Sequence, residues 1–90
     1  MNPSRRLQIK NIISEIDEVK SVLAEIKETI LNIKSDEEEY RDSMPENLQN
    51  SDRYYKADEA CDNIENAINN IDDIGDELDV VLDSLRDAIV

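Results

Sequence analysis

The sequence contains no histidine, tryptophan or phenylalanine, and its 90 residues include only one cysteine, one glycine and two prolines. Each scarcity removes a class of chemistry. Without histidine there is no imidazole to serve as a general base, to complete a serine or cysteine triad, or to hold zinc. A single cysteine, Cys61, cannot close an intramolecular disulfide, which suits a reducing cytoplasm. A single glycine, Gly75, cannot build a glycine-rich phosphate loop. No apolar run is long enough to cross a membrane or to form the core of a signal peptide, so a soluble, non-secreted protein is expected. No segment carries a strand signal.

What the chain does have is two apolar stripes of heptad spacing, one on either side of Pro45. The first runs Ile9, Ile12, Ile16, Val19, Leu23, Ile26, Ile30, Ile33 and, past Glu37, Tyr40 and Met44. The second runs Tyr54, Ala57, Cys61, Ile64, Ile68, Ile71, Gly75, Leu78, Leu82, Leu85, Ile89. Alternating steps of three and four over about five heptads mark helices that pack along a continuous seam, and a proline stops a helix. The expected fold is all-α. One domain, residues 1–90, forms an antiparallel two-helix coiled-coil hairpin, with a helix over about 3–43, a link over about 44–52 and a helix over about 53–88.

Local signals agree with these limits. Asn2 is placed to cap the first helix, with Pro3 at its first position. Ser43 and Glu46 have capping-box spacing around Pro45, so a short helical turn is expected over 45–49, and Asn50, Ser51 and Asp52 offer caps for the second helix. Cys61, on the stripe, reads as a small buried hydrophobe in preference to a redox or metal thiol. Gly75 reads as a point of close approach by a bulky neighbour such as Ile26. Glu37 reads as part of a frayed, solvated layer near the turn.

The flanks decide how the helices pair. With Ile9 and its equivalents at heptad position a and Ile12 and its equivalents at d, the first helix carries Ile13, Lys20, Lys27, Lys34 and Arg41 at e. With Cys61 at a and Ile64 at d, the second carries Asp58, Glu65, Asp72, Asp79 and Arg86 at e. In an antiparallel pair e faces e. Arg41, Lys34, Lys27 and Lys20 should therefore meet Asp58, Glu65, Asp72 and Asp79, each heptad down one helix matching a heptad up the other. Exposed ion pairs stabilise little; these set orientation and register.

The other flank is apolar. The second helix carries Ala60, Ala67, Ile74, Val81 and Ala88 at g, and the first offers Val22 and Thr29. A stripe this wide exceeds what one antiparallel partner covers, and a lone hairpin buries a thin core. A homodimer closing into a four-helix bundle through Val22, Ala60, Ala67, Ile74 and Val81 is expected, with Leu31 and Val80 as lesser contributors.

Charge is the second feature. The chain holds 10 Lys and Arg against 23 Asp and Glu, a net charge of -13. Residues 1–35 hold six bases and five acids, whereas residues 36–90 hold four bases and eighteen acids. A candidate partner-binding acidic face comprises Asp36, Glu38, Glu39, Asp42, Glu46, Asp58, Glu59, Asp62, Asp73, Asp76, Glu77 and Asp83. Such a surface disfavours direct binding to nucleic acid or to an anionic membrane and suits a basic protein. A helix of about 40 residues is roughly 60 Å long at ~1.5 Å per residue. Its charge is then spaced at about one per 4–5 Å, sparser than the one per ~1.7 Å of duplex DNA. A solubilising coiled-coil face is the plainer reading of the same pattern.

Other chemistry is not encoded. A thin hairpin of Ile, Leu and Ala has no desolvated cleft for a general acid or base. The run Asp72, Asp73, Gly75, Asp76 fails the spacing of a calcium loop and lies inside a heptad helix. No catalytic residue, cofactor or metal is expected.

The link carries a resemblance. Tyr40-Arg41-Asp42-Ser43-Met44-Pro45-Glu46-Asn47-Leu48-Gln49-Asn50-Ser51-Asp52-Arg53-Tyr54, followed by Lys56-Ala57-Asp58-Glu59-Ala60 and an acidic heptad tail, resembles short, acidic helical-hairpin proteins of bacteriophages and prophages. The likeness covers the link well and the helices in character only. It implies a cytoplasmic setting in a bacterial host and no catalytic residues. Leu48, Tyr54 and Tyr55 are expected to fold back over the hairpin end, with Arg53 and Asn47 hydrogen bonding within the turn; the alternative is a presented recognition tip. Two functions follow as expectations. One is a phage-type inhibitor or modulator of a basic host protein, such as a defence nuclease of the CRISPR or restriction kind, acting as a DNA mimic through the acidic face. The other is a structural or adaptor coiled coil acting through helix association.

Overall fold

The computed structural model describes all residues, Met1–Val90. Two long helices, α1 (Pro3–Asp42) and α2 (Asp52–Ala88), run antiparallel and are joined through a 3-10 turn at Glu46–Leu48. The hairpin measures 70 × 16 × 13 Å over its Cα atoms. No helix is long and apolar enough to cross a membrane.

The helix ends follow from their side chains. Asn2 Oδ1 accepts from the Arg5 amide at 2.8 Å, and Pro3, which needs no partner for a missing N–H, opens α1. Ser51 caps α2 by accepting from the Tyr54 amide at 3.3 Å, and its hydroxyl donates back to the Leu48 carbonyl at 2.5 Å. Ser43 does not start the turn as a capping box. It is the C-cap of α1, its amide donating to the Glu39 carbonyl at 2.9 Å, because Pro45 forbids a further helical residue before it. The 3-10 turn has Pro45 at its N-cap and no side-chain cap.

The core is thin. Met44, Ala57, Cys61, Ile68 and Leu82 are the buried residues, and four of them lie on α2. Both the a and d lines of α2 face the seam. On α1 the a line (Ile9, Ile16, Leu23, Ile30, Glu37) is half-buried together with the e line, whereas the d line is not: Ile12, Val19, Ile26, Ile33 and Tyr40 are 44–52% exposed. The expected a/d seam of α1 is therefore an a/e seam. The reason lies in the cations at e: the long stems of Lys20, Lys27, Lys34 and Arg41 cover the seam while their charged ends reach α2, and this rotates the d line outward.

Three smaller expectations are corrected. A Cβ built on Gly75 meets nothing within 4 Å, so no bulky neighbour crowds it; the glycine leaves a groove open beside Leu23, Ala24 and Ile71. Glu37 is half-buried within an unbroken helix, not in a frayed layer, because the ion pair from Arg41 to Asp58 clamps this end of α1 to α2. At the link, Leu48 and Tyr55 are exposed and only Tyr54 is half-buried, stacked edge-on against Tyr55 at 6.1 Å. Arg53 and Asn47 make no side-chain hydrogen bond; the backbone and Ser51 satisfy the turn.

Candidate protein-binding surfaces

The seam is edged by a ladder of ion pairs. Lys20 meets Asp79, Lys27 Nζ lies 2.6 Å from Asp72 Oδ1, Lys34 Nζ 2.5 Å from Glu65 Oε2, and Arg41 Nη1 2.9 Å from Asp58 Oδ1. These are the four pairs expected from the e positions, and they fix the antiparallel register over four successive heptads. Lys34 also lies 3.4 Å from Glu38, one turn on, and its ammonium is held above the ordinary lysine range chiefly by the Glu65 hydrogen bond, against some desolvation. The Arg41 guanidinium, bonded first to Asp42 and then to Asp58, is likewise held above its ordinary range.

The ladder divides the hairpin into two broad sides. On the ladder side stand the b and f positions of both helices, and here the candidate acidic residues Glu59, Asp62, Asp73, Asp76 and Asp83 of α2 and Asp42 of α1 are exposed. Four of them, Glu59, Asp62, Asp73 and Asp76, have no cation within 4.0 Å, while Asp83 lies 3.8 Å from Arg86 and Asp42 2.9 Å from Arg41. Asp36, Glu39 and Glu77 are exposed but sit at g and c, toward the other side, and Glu46 is exposed at the link. Two residues leave the expected face. Asp58 is a half-buried rung of the ladder, and Glu38 is half-buried beside Lys34, because both carboxylates find a cation in the seam.

The second side is apolar. Val22, Ile74 and Val81 are 44–51% exposed, Ala67 is exposed, and Ala60 is half-buried, so the expected flank is open. It is also wider than its g positions. The outward-turned d line of α1 adds Ile12, Val19, Ile26 and Ile33, which heptad spacing had assigned to the core. The signal that reveals them is the run of cations at e, whose charges must reach the e carboxylates of α2. Leu31 and Val80, expected as lesser contributors, sit at b of α1 and f of α2, away from this side.

No group of three or more Cys, Asp or Glu side chains is arranged to hold a metal ion; Asp72 is committed to Lys27 within a continuous helix. Cys61 is 4% exposed, and burial pushes its thiol above the ordinary value, against the pull of Arg41. It packs as a small hydrophobe. Comparison with known protein families, with characterised proteins and with solved structures finds no match for this chain.

Proposed function

We propose that this chain is a non-catalytic protein-binding module that modulates a basic, nucleic-acid-binding host protein, in the manner of a phage inhibitor of a bacterial defence nuclease. The observation that carries the reading is the line Glu59, Asp62, Asp73 and Asp76 along the outer side of α2, exposed and without a cation while Lys20, Lys27, Lys34 and Arg41 are spent in the ladder. Uncompensated carboxylates in a row create a field that attracts a cationic surface and repels nucleic acid and anionic lipid.

Dimerisation belongs to the same proposal. Two hairpins joined through their apolar sides form a four-helix bundle and turn both acidic lines outward. A net charge of -13 over 70 Å gives one charge per roughly 5 Å, and a dimer of the same length halves that to roughly 3 Å, approaching the ~1.7 Å of duplex DNA. The resemblance of the link to phage hairpin proteins points to the bacterial cytoplasm as the setting.

The test is capture from a bacterial lysate with the purified protein, eluted by a salt gradient. A nucleic-acid-binding protein released at moderate salt and displaced by DNA is the expected result. Reversing Glu59, Asp62, Asp73 and Asp76 to lysine should abolish capture while the circular dichroism stays helical.

The exposed apolar side favours a second reading, an adaptor coiled coil working through helix association alone. Replacing Ile74 and Val81 with serine separates the two: the acidic line is kept, so an inhibitor still captures its basic partner, only more weakly without the dimer, whereas an adaptor loses its partner altogether.

A further inference from the structure

We infer that two copies of this chain pair head to tail through the apolar side, the acidic turn of each lying over the basic open end of the other. The inference rests on the dimer proposed above and adds its direction. Three observations lead to it.

The first is extent. From Ile12 to Tyr40 the exposed line of α1 is about 42 Å long at ~1.5 Å per residue, and the two helices side by side are 16 Å across. Their product is on the order of 700 Å² per copy, close to the ~800 Å² that each partner gives to an interface of standard size. A second hairpin of the same dimensions covers it.

The second is symmetry. The ladder places Lys27 beside Asp72, so Ile26 is level with Ile74, and the steps of seven put Val19 level with Val81 and Ile33 level with Ala67. The Ile26 and Ile74 rung is the middle of the stripe. A two-fold axis through it sets Ile26 against its own copy and Val19 against the second copy's Ile33, apolar group on apolar group along the d line of α1.

The third is charge, and it selects the direction. At the open end, residues 1–14 and 85–90 hold Arg5, Arg6, Lys10 and Arg86 and one acid, Asp87; at the turn end, residues 36–62 hold ten acids and three bases. Pairing with the turns together places two such acidic ends within about one Debye length of each other, where repulsion is only partly screened. Head to tail, each acidic turn lies over the second copy's Arg5, Arg6 and Lys10. The dimer then carries an acidic tip at each end, so that one molecule engages two basic partners at once.

The experiment is a distance measurement. A nitroxide placed on Asn50→Cys sits in the exposed link, away from the paired side, and the buried Cys61 stays unlabelled. Head-to-tail pairing puts each label about 20 residues from the axis, hence roughly 60 Å from its mate at ~1.5 Å per residue. A distance under about 30 Å overturns the direction and leaves the dimer standing. A monomer by sedimentation overturns both. As an independent check, Ile26→Cys should cross-link to itself on mild oxidation, since the two-fold axis passes between the two copies of that residue; with the turns together α1 lies over α2 and no such link forms.

Discussion

Arg41 spans the two helices beside the link: its Nη1 donates to Asp58 Oδ1 at 2.9 Å while its Nε donates to Asp42 Oδ1, also at 2.9 Å. One planar guanidinium therefore joins the last turn of α1 to α2. Arginine suits this place because its rigid fork serves two carboxylates at once, which a lysine ammonium does with less geometric definition. Below it, the lysine pairs repeat the contact over the next three heptads.

The ladder should set register more than stability. Lys27→Glu places like charges opposite Asp72 and should lower the melting temperature by roughly 2–4 °C, consistent with the small worth of exposed pairs. Adding Asp72→Lys should recover most of that loss. Thermal unfolding by circular dichroism of the two single variants and the double variant measures the coupling; no recovery in the double variant contradicts the pairing.

Gly75→Ala should stabilise the hairpin. The added methyl meets no atom within 4 Å, so it costs no displacement, while the helix gains about 1 kcal/mol from alanine over glycine at an interior position. A rise in melting temperature of about 4–8 °C is expected for a chain of this size. A fall would show that the groove beside Leu23 is narrower than described.

Leu82 is the most buried side chain, at 2% exposure, and Val80, two residues before it, is 66% exposed. Leu82→Ala should cost about 2–3 kcal/mol, the low end of the core range, because a single neighbouring helix can partly close the cavity. Val80→Ala should change stability by no more than about 0.5 kcal/mol. Urea unfolding of the two variants compares them directly.

The Cys61 thiol should be inert in the folded protein. Its ionisation is pushed up by burial, so a disulfide reagent at pH 8 should react slowly with the native chain and promptly after denaturation. The sign of the pH effect follows. The folded state holds the thiol proton more tightly than the unfolded state does, so this contribution is complete below the ordinary thiol value of 9.0 and is lost as the pH rises beyond it. A stability that climbs above pH 9 contradicts the burial of Cys61, which Cys61→Ala then checks.

Much of this architecture was legible in the residue order. Pro45 between two heptad stripes implied a hairpin, Asn2 marked the first helix start, Asn50, Ser51 and Asp52 bracketed the second, of which the hydrogen bonds select Ser51, and the e positions named all four ladder pairs. These features are local or periodic, and periodicity survives in sequence because it recurs at every turn of the helix. The candidate acidic residues were also legible as a composition, but not as a surface: Asp58 and Glu38 turn into the seam, and Asp36, Glu39 and Glu77 sit away from the line formed by Glu59, Asp62, Asp73 and Asp76.

By itself, then, the sequence determined the number of helices, their ends, their antiparallel order and their register, through proline, caps and complementary charge at fixed spacing. Only the tertiary structure decided the rotation of α1 about its own axis. Heptad labels identify which residues share a line; they do not say which of two adjoining lines meets the partner. On α1 the lysine and arginine stems at e cover the seam and carry their charges to α2, and that contact prevails over burial of the d line. Ile12, Val19, Ile26 and Ile33 are left facing outward, which makes an open apolar side out of residues that spacing alone assigns to the core.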